Sequence, residues 1–198
     1  FSGNKVDSKV NLLWCSNLIY TKGFTYFADA ILALPVQYLQ SCRITIIGKV
    51  LGDSFKSRGE MNDIVNMYLH RFEEKSIDYE YLGALENRHV MQFYYSSDVF
   101  VLPTFYDTEA MPLSVLEAIK SATKVVLSDW KSLKEIYGEY RINFVEPRNS
   151  ILLTNALVHN IKDKMSGKLN KDLLFNYELL VKNCAVNNDL LMEYLKEN

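Results

Sequence analysis

The chain has 198 residues, of which 48% are hydrophobic and 23% are charged, enough apolar material for the core of one generous domain. Its formal net charge of −2 argues against nucleic acid or an anionic membrane surface as a partner. No run approaches the roughly 18 consecutive apolar residues that a membrane span needs. The first residues, 1–5, lack a signal-peptide pattern and a Met, so we expect a cytoplasmic chain cut from a longer protein.

The cysteines and histidines indicate no disulfide or metal centre. The three cysteines are odd in number and widely spaced, which favours buried free thiols in a reducing cytosol for Cys15, Cys42 and Cys184. The three histidines are scattered and show no metal-site spacing. We therefore expect no metal and no other cofactor.

The first half of the chain alternates between strand-like and helix-like patterns. An apolar run at 10–15 predicts a strand, and the stripe over 24–34 predicts a helix that Pro35 ends or kinks. Residues 44–47 predict a second strand, followed by a helix over 61–72. Alternation over residues 77–82 predicts a third strand.

The same alternation continues in the second half. A helix over 87–96 precedes a buried strand at 98–103 and then a loop over 104–111. Pro112 opens the next helix, because proline is favoured at the first helical position. Residues 125–127 predict a fifth strand.

Weaker patterns complete the chain. They predict a short helix over 132–137, a strand over 142–145, and helices from Ile151 and from about Lys171 to the end, with 169–198 as a C-terminal helical segment. About six strands in strict alternation with helices indicate an α/β fold, a Rossmann-like open parallel sheet with helices on both faces.

One loop and the helix after it carry two acids. Glu109 precedes the helix and Glu117 lies one to two turns inside it. Leu113 and Leu116 are expected to face the core, which would leave Glu117 in apolar surroundings and in need of a partner. The free amides of the first turn, at 113–115, suit a phosphate. On composition alone, two ordinary helix-start acids remain the alternative.

Two further loops follow predicted strands, at the sheet edge where ligands bind in open parallel sheets. Lys22 lies at a helix start, where the helix dipole disfavours a cation unless a phosphate sits between them. Gly48 and Gly52 follow the second strand. The alternatives are that Lys22 is an ordinary solvated lysine and that the two glycines form a simple tight turn.

Several of these motifs occur together in one known family. Glu109 and Glu117 bracket Ala-Met-Pro-Leu-Ser-Val-Leu, and an Asp-Val strand ending in Pro103-Thr104 precedes them. The sequence also contains Lys22-Gly23, Ile47-Gly48 and Leu82-Gly83, and Val125 to Asp129 after the acidic motif. In this order, the motifs resemble the donor-binding C-terminal domain of the retaining glycosyltransferase family 4. Members of that family have two Rossmann domains in the arrangement called GT-B.

The resemblance implies a role for each matching position. Glu117 would bond the ribose hydroxyls of a nucleoside-diphosphate sugar, and Glu109, the catalytic residue, would contact the donor sugar. Lys22, beside Gly23, would neutralise the pyrophosphate. Amides would hold the distal phosphate at Met111, Leu113 and Ser114. The other implied donor-binding positions are Asn17, Gly48 and the base-binding loop of Gly83, Ala84 and Leu85.

The chain departs from the family pattern at several positions. Asn17 stands where the family commonly has an arginine paired with the lysine on the pyrophosphate, so a bidentate clamp is missing. Ala110, Ala122 and Lys124 replace a frequent Gly, Gly and Pro. An unusual donor, a weaker enzyme, and compensation by another cation such as Lys49 all remain open.

We therefore interpret residues 1–198 as a single nucleotide-sugar-binding domain of a glycosyltransferase in polysaccharide biosynthesis. An N-terminal domain outside this chain would bind the acceptor and make any membrane contact, so the chain alone is expected to be inactive. Retention follows from the resemblance alone. The alternatives are a non-catalytic nucleotide-sugar-binding or regulatory subunit, and a sugar-nucleotide epimerase of the same fold.

Overall fold

The computed structural model describes residues 9–167 and 170–197. Its strands form one six-stranded sheet in the order β3-β2-β1-β4-β5-β6, with every neighbouring pair parallel. The strands are β1 Val10–Cys15, β2 Cys42–Ile47, β3 Tyr79–Tyr81, β4 Val99–Leu102, β5 Lys124–Ser128 and β6 Asn143–Val145. The predicted fold class is confirmed. The prediction of one domain over 1–198 also covers residues 1–8, 168, 169 and 198, which lie outside the described residues.

Helices cover both faces of the sheet. They are α1 Phe24–Leu32, α2 Val36–Leu39, α3 Arg58–Glu74, α4 Asn87–Ser96, α5 Leu113–Lys120, α6 Leu133–Tyr137, α7 Ser150–Met165 and α8 Asn170–Glu197. Leu12 and Leu13 of β1 point to opposite faces, as successive strand residues do. Leu12 packs in a cluster with α1, α3 and α7, and Leu13 in a second cluster with α4, α5 and α6. Burial on both faces explains why the strands are continuous apolar runs.

Helix α8 is tied to the strand side of the molecule by polar contacts. The Asp172 carboxylate receives Lys124 Nζ at 3.1 Å and Arg141 Nη1 at 2.8 Å. The Asn176 side chain is buried, accepts from the Arg141 amide at 2.7 Å, and donates to the Arg141 carbonyl at 3.3 Å. These contacts fix the first half of α8 beside β5 and β6.

Some element boundaries differ from those predicted. Helix α1 ends at Leu32, and Pro35 caps a separate one-turn helix, α2, instead of ending α1. Pro112 is the residue before α5 and not its first helical residue. Cys184 is exposed, so the prediction of a buried thiol is wrong there, because that residue lies on the outer side of α8.

The strand order reverses between β1 and β4, which are adjacent in the sheet. All strands are parallel, so their carboxyl ends lie along one edge, and the loops after β1 and β4 meet at this reversal. The Phe105 amide donates to the Thr21 carbonyl at 2.7 Å and joins the two loops. In open α/β sheets, this is the position where a ligand crevice forms.

No helix within the described ranges is both long and apolar enough to cross a bilayer.

Candidate functional site

The loops after β1 and β4 bring together Lys22 and Glu109. Lys22 Nζ lies 2.5 Å from Glu109 Oε2, and the two side chains are only 17% and 7% exposed. The Thr104 hydroxyl donates to the same carboxylate oxygen at 2.9 Å, and Lys22 Nζ also lies 5.1 Å from the centre of the Tyr106 ring. The pair is an enclosed ion pair at the strand-order reversal, and neither residue is a solvated surface charge.

Gly23 is what allows the two loops to approach so closely. Lys22 is the last residue of a short 3-10 turn, and Gly23 turns the chain into α1 with a φ of 86°. A Cβ at Gly23 would lie 2.1 Å from the carbonyl oxygen of Pro103, a distance that no side chain tolerates. Both the positive φ of Gly23 and the lack of space for a Cβ therefore require glycine directly after Lys22.

Glu117 lies near the end of β1. Its carboxylate is half-buried and is close enough to Cys15, the last residue of β1, and to Tyr94 of α4 to affect both groups. Burial raises the pKa of the Cys15 thiol to about 11. Burial first, and then the neighbouring Cys15 and Glu117, raise the pKa of the buried Tyr94 hydroxyl.

The start of α5 leaves backbone amides available. No side chain caps this helix, and no hydrogen-bond acceptor for the Leu113 and Ser114 amides is found in the described part of the chain. The Val115 amide donates to the Pro112 carbonyl at 3.1 Å. The prediction that this amide is free, like those of Leu113 and Ser114, is therefore wrong. Two N–H groups at a helix start still form an anion-binding position.

The predicted inward orientation of Leu113 is wrong. Leu113 is 67% exposed, and Met111 beside it is 52% exposed. The buried positions of α5 are Val115, Ala118 and Ile119, and this stripe leaves residue 113 on the outer side of the first turn.

A groove of about 820 Å³ lies beside the ends of β2 and β3. Three predicted positions line it, Gly48, Gly83 and Ala84, together with Lys49, Val50, Leu51, Arg58, Gly59, Asn62 and Tyr81. The Gly48 amide donates to the Gly83 carbonyl at 2.7 Å, which holds the two loops together. A Cβ at Gly48 would lie 1.9 Å from the Ser16 carbonyl oxygen.

The predicted residues thus fall into two neighbouring areas of one sheet edge. Leu85 does not line the groove and packs in the apolar cluster of α4 and α5. Asn17 is exposed in the loop after β1. Sequence reasoning missed Arg58 and Asn62, although both lie on the polar side of α3 close to two glycines. No group of three or more metal-ligating side chains occurs among the residues that the structure describes.

Residues 9–163 match the family described as glycosyl transferases group 1. The chain belongs to this family. Its match covers all six strands and helices α1 to α6, including both loops of the site.

Three relatives show what this glycosyl transferases group 1 chain is similar to. A protein of Bacillus subtilis (strain 168), named for teichuronic acid biosynthesis as glycosyltransferase TuaC, is 27% identical over 75 residues, 38% of this chain and 19% of that protein. Anabaena HepE in complex with UDP is 16% identical with a TM-score of 0.74, over 96% of this chain and 50% of HepE. The C-terminal domain of the group 1 protein LpcC from Francisella tularensis is 19% identical with a TM-score of 0.69, over 90% of this chain and 87% of that domain.

The chain spans half the length of HepE and less of TuaC. It corresponds in extent to the isolated C-terminal domain of LpcC. At these identities the structural likeness shows the shared fold.

Proposed function

We propose that this chain binds a nucleoside-diphosphate sugar and is the donor half of a glycosyltransferase. The observation that carries the proposal is the enclosed Lys22–Glu109 pair at the strand-order reversal. Family membership supports transfer chemistry. The UDP complex of HepE and the name of TuaC support a nucleotide donor and a role in polysaccharide biosynthesis.

In this proposal the donor lies along the sheet edge. The nucleobase occupies the groove at Gly48, Gly83 and Ala84, and Glu117 bonds the ribose hydroxyls. The diphosphate lies between Lys22 and the free amides of α5. This order follows the two areas along the edge, from the groove toward the ion pair.

Glu109 is proposed to hold the donor sugar. Its Oε2 is occupied by Lys22 and Thr104, while Oε1 has no hydrogen-bond partner in the described part of the chain. Oε1 can therefore accept a hydrogen bond from a sugar hydroxyl. Because the carboxylate is fixed on its other oxygen, the accepting atom is held in place before the sugar arrives.

The proposed reaction is transfer with retention. The bond from the anomeric carbon to the diphosphate oxygen breaks, an acceptor hydroxyl bonds to that carbon on the same face, and the hydroxyl proton goes to the leaving phosphate oxygen. Lys22 and the α5 amides stabilise the charge that develops on the leaving group. One such donor contributes about 3 kcal/mol in the transition state. No metal is needed in this scheme.

We further propose that a separate N-terminal domain brings the acceptor, so that the present chain binds donor without transferring it. The exposed, uncharged Asn17 favours a second candidate, a nucleotide-sugar-binding subunit without catalysis. An epimerase of the same fold is distinguished by donor turnover without acceptor. A protein joined to its N-terminal half would separate all three by product analysis.

The binding proposal is tested by thermal unfolding of the chain with UDP, GDP, ADP, CDP and their sugars. A ligand at 100 times its Kd stabilises by about 2.7 kcal/mol, which corresponds to a rise in Tm of about 5–10 °C for a domain of this size. Glu117→Ala should weaken the binding of whichever nucleotide the unmodified chain binds, without lowering the Tm of the free chain. No shift with any nucleotide would contradict the proposal.

A further inference from the structure

The groove beside β2 and β3 carries an unbalanced positive charge. Its charged lining residues are Lys49 and Arg58, and no Asp or Glu lines it. Neither cation has an ion-pair or side-chain hydrogen-bond partner among the side chains that the structure describes. Their neighbours differ, because Lys22 is paired with Glu109 at 2.5 Å and Lys56 with Glu60 at 3.6 Å.

The register of the sheet places Lys49 directly across from Asn17. Cys15 pairs with Ile47, and an isolated bridge joins Leu18 to Val50, so the same parallel offset continues past the strand ends. The Leu18 amide donates to the Lys49 carbonyl at 2.8 Å, and the Leu51 amide donates back to Leu18 at 3.3 Å. Neighbouring strands lie about 4.8 Å apart, so the exposed Lys49 side chain starts one strand away from position 17.

The charge of Lys22 is already balanced in the free protein. Glu109 neutralises it inside an enclosed pair, so an approaching diphosphate meets little net positive charge at that point. Arg148, which follows β6, is another cation on this edge without a carboxylate partner among the described residues, and its guanidinium lies over the rings of Phe105 and Trp130. Lys49 and Arg58 are the cations that line the groove, so an anion that enters the groove is attracted to them.

We infer that Lys49 and Arg58 form a second diphosphate-recognition pair, which acts beside Lys22 and the α5 amides, with the nucleotide entering through the groove that Lys49 and Arg58 line. The inference rests on the proposed function and adds to it the residues that supply the charge. Arg58 presents a planar guanidinium that can bond two phosphate oxygens at once, and Lys49 adds a compact charge on the opposite loop. Val50, Leu51 and Tyr81 give the rest of the groove an apolar wall suited to a base.

The test uses the variants Lys49→Gln and Arg58→Gln, singly and together, with calorimetric Kd values for UDP, GDP, ADP and CDP, their monophosphates and nucleosides, and inorganic pyrophosphate. Each single change should weaken binding of the diphosphate roughly tenfold, which corresponds to about 1.4 kcal/mol, because each change removes one charged hydrogen-bond donor. The monophosphate should lose less, and the nucleoside should be unchanged. The losses should shrink at high salt.

Lys56→Gln is the matched control, because it removes a cation from the same loop that faces Glu60 and does not line the groove. It should leave every Kd within about twofold, as a surface pair contributes little. Arg58→Gln removes a cation from the start of α3, where the helix dipole disfavours it, so the Tm of the free chain should not fall. The Tm of each variant without ligand is measured to separate lost binding from unfolding.

Three results would overturn the inference. They are an unchanged diphosphate Kd in the double variant, equal losses for nucleoside and diphosphate, and no binding of either nucleotides or pyrophosphate by the unmodified chain, which would overturn the proposed function as well. Pyrophosphate binding that depends on Lys49 and Arg58, without nucleotide binding, would support the anion site and overturn the proposed function alone.

Discussion

At the residue scale, the Lys22–Glu109 ion pair affects the stability of the fold as well as the proposed donor site. Both side chains are largely enclosed, and each is the other's counter-ion. A buried pair of this kind adds little net stability, but removing one member leaves an unbalanced buried charge. Replacing either residue should therefore destabilise the fold, whether or not that residue binds the donor.

Lys22→Met should lower the free energy of unfolding by about 3 kcal/mol, because Glu109 then keeps only the Thr104 hydroxyl. The double variant Lys22→Met with Glu109→Gln should recover much of that loss, since no buried charge remains. Urea unfolding of the unmodified chain, Lys22→Met, Glu109→Gln and the double variant measures the coupling. A single variant as stable as the unmodified chain would contradict an enclosed pair.

The glycines of the groove differ in what a side chain would meet. Gly48→Ala places a Cβ against the Ser16 carbonyl at a φ of 150°, while Gly83 has a φ of 60° and open space around it. We expect Gly48→Ala to cost about 3 kcal/mol or more and Gly83→Ala about 1 kcal/mol, from its φ alone. Chemical unfolding compares the two, and equal losses would be inconsistent with the close approach of Ser16.

At the scale of elements, α8 depends on the charges that hold its first half. The pKa of Asp172 lies below its ordinary value, chiefly through the hydrogen bond from Arg141 and then through Lys124, against the effect of burial. The folded chain therefore binds this proton more weakly than the unfolded chain. The stabilisation is present above the ordinary pKa of 3.8 and is lost as pH falls through the lower folded pKa.

Asp172→Asn should lower the free energy of unfolding at pH 7 by about 1 kcal/mol, a value reduced for solvent screening because Asp172 is 38% exposed. The difference from the unmodified chain should shrink as pH falls below 3.8. Thermal unfolding between pH 7 and pH 3 measures it. Glu178→Gln, an exposed change on the same helix, should leave the curve unchanged, and a pH-independent loss in Asp172→Asn would refute the charge argument.

The fold was more predictable from sequence than the site. Strands such as β1 and β4 are apolar throughout because helices bury both faces, and this leaves a clear pattern. The single turn of α2 is too short to show periodicity in the sequence, so Pro35 indicates only the end or a kink of the preceding helix and not the start of a new one. The prediction that Leu113 faces the core is wrong because an apolar residue in the first turn of a helix can lie outside the buried stripe.

Residues of the candidate site were predictable only where they lie in a recognisable sequence motif. Glu109, Lys22 and Gly48 lie in short motifs, and the structure places them at one sheet edge. Arg58 and Asn62 reach the groove only because α3 starts beside it, which depends on how the long loop after β2 folds. Their contribution depends on tertiary structure and leaves no local pattern.

At the scale of the whole molecule, this group 1 chain spans half of HepE. On the proposed function, we expect the chain alone to bind a nucleotide donor and release no transferred product, because acceptor binding is assigned to a separate N-terminal domain. Joined to the proposed N-terminal domain, the chain should form product from donor and acceptor, as measured by chromatography of the reaction. Transfer by the isolated chain would contradict the division of labour.

Strands β1 and β4, which are neighbours where the strand order reverses, are joined next to their first paired residues by two hydrogen bonds between Asn11 and Asp98, 87 positions apart in the chain. During synthesis, β1 can pair with β2 early but must wait for β4 to cover its other edge. At about 5–20 residues per second, the ribosome needs roughly 4–17 seconds to deliver that segment. For that time the nascent chain carries an open apolar strand edge, so its yield in cells should depend on chaperones more than its final stability suggests.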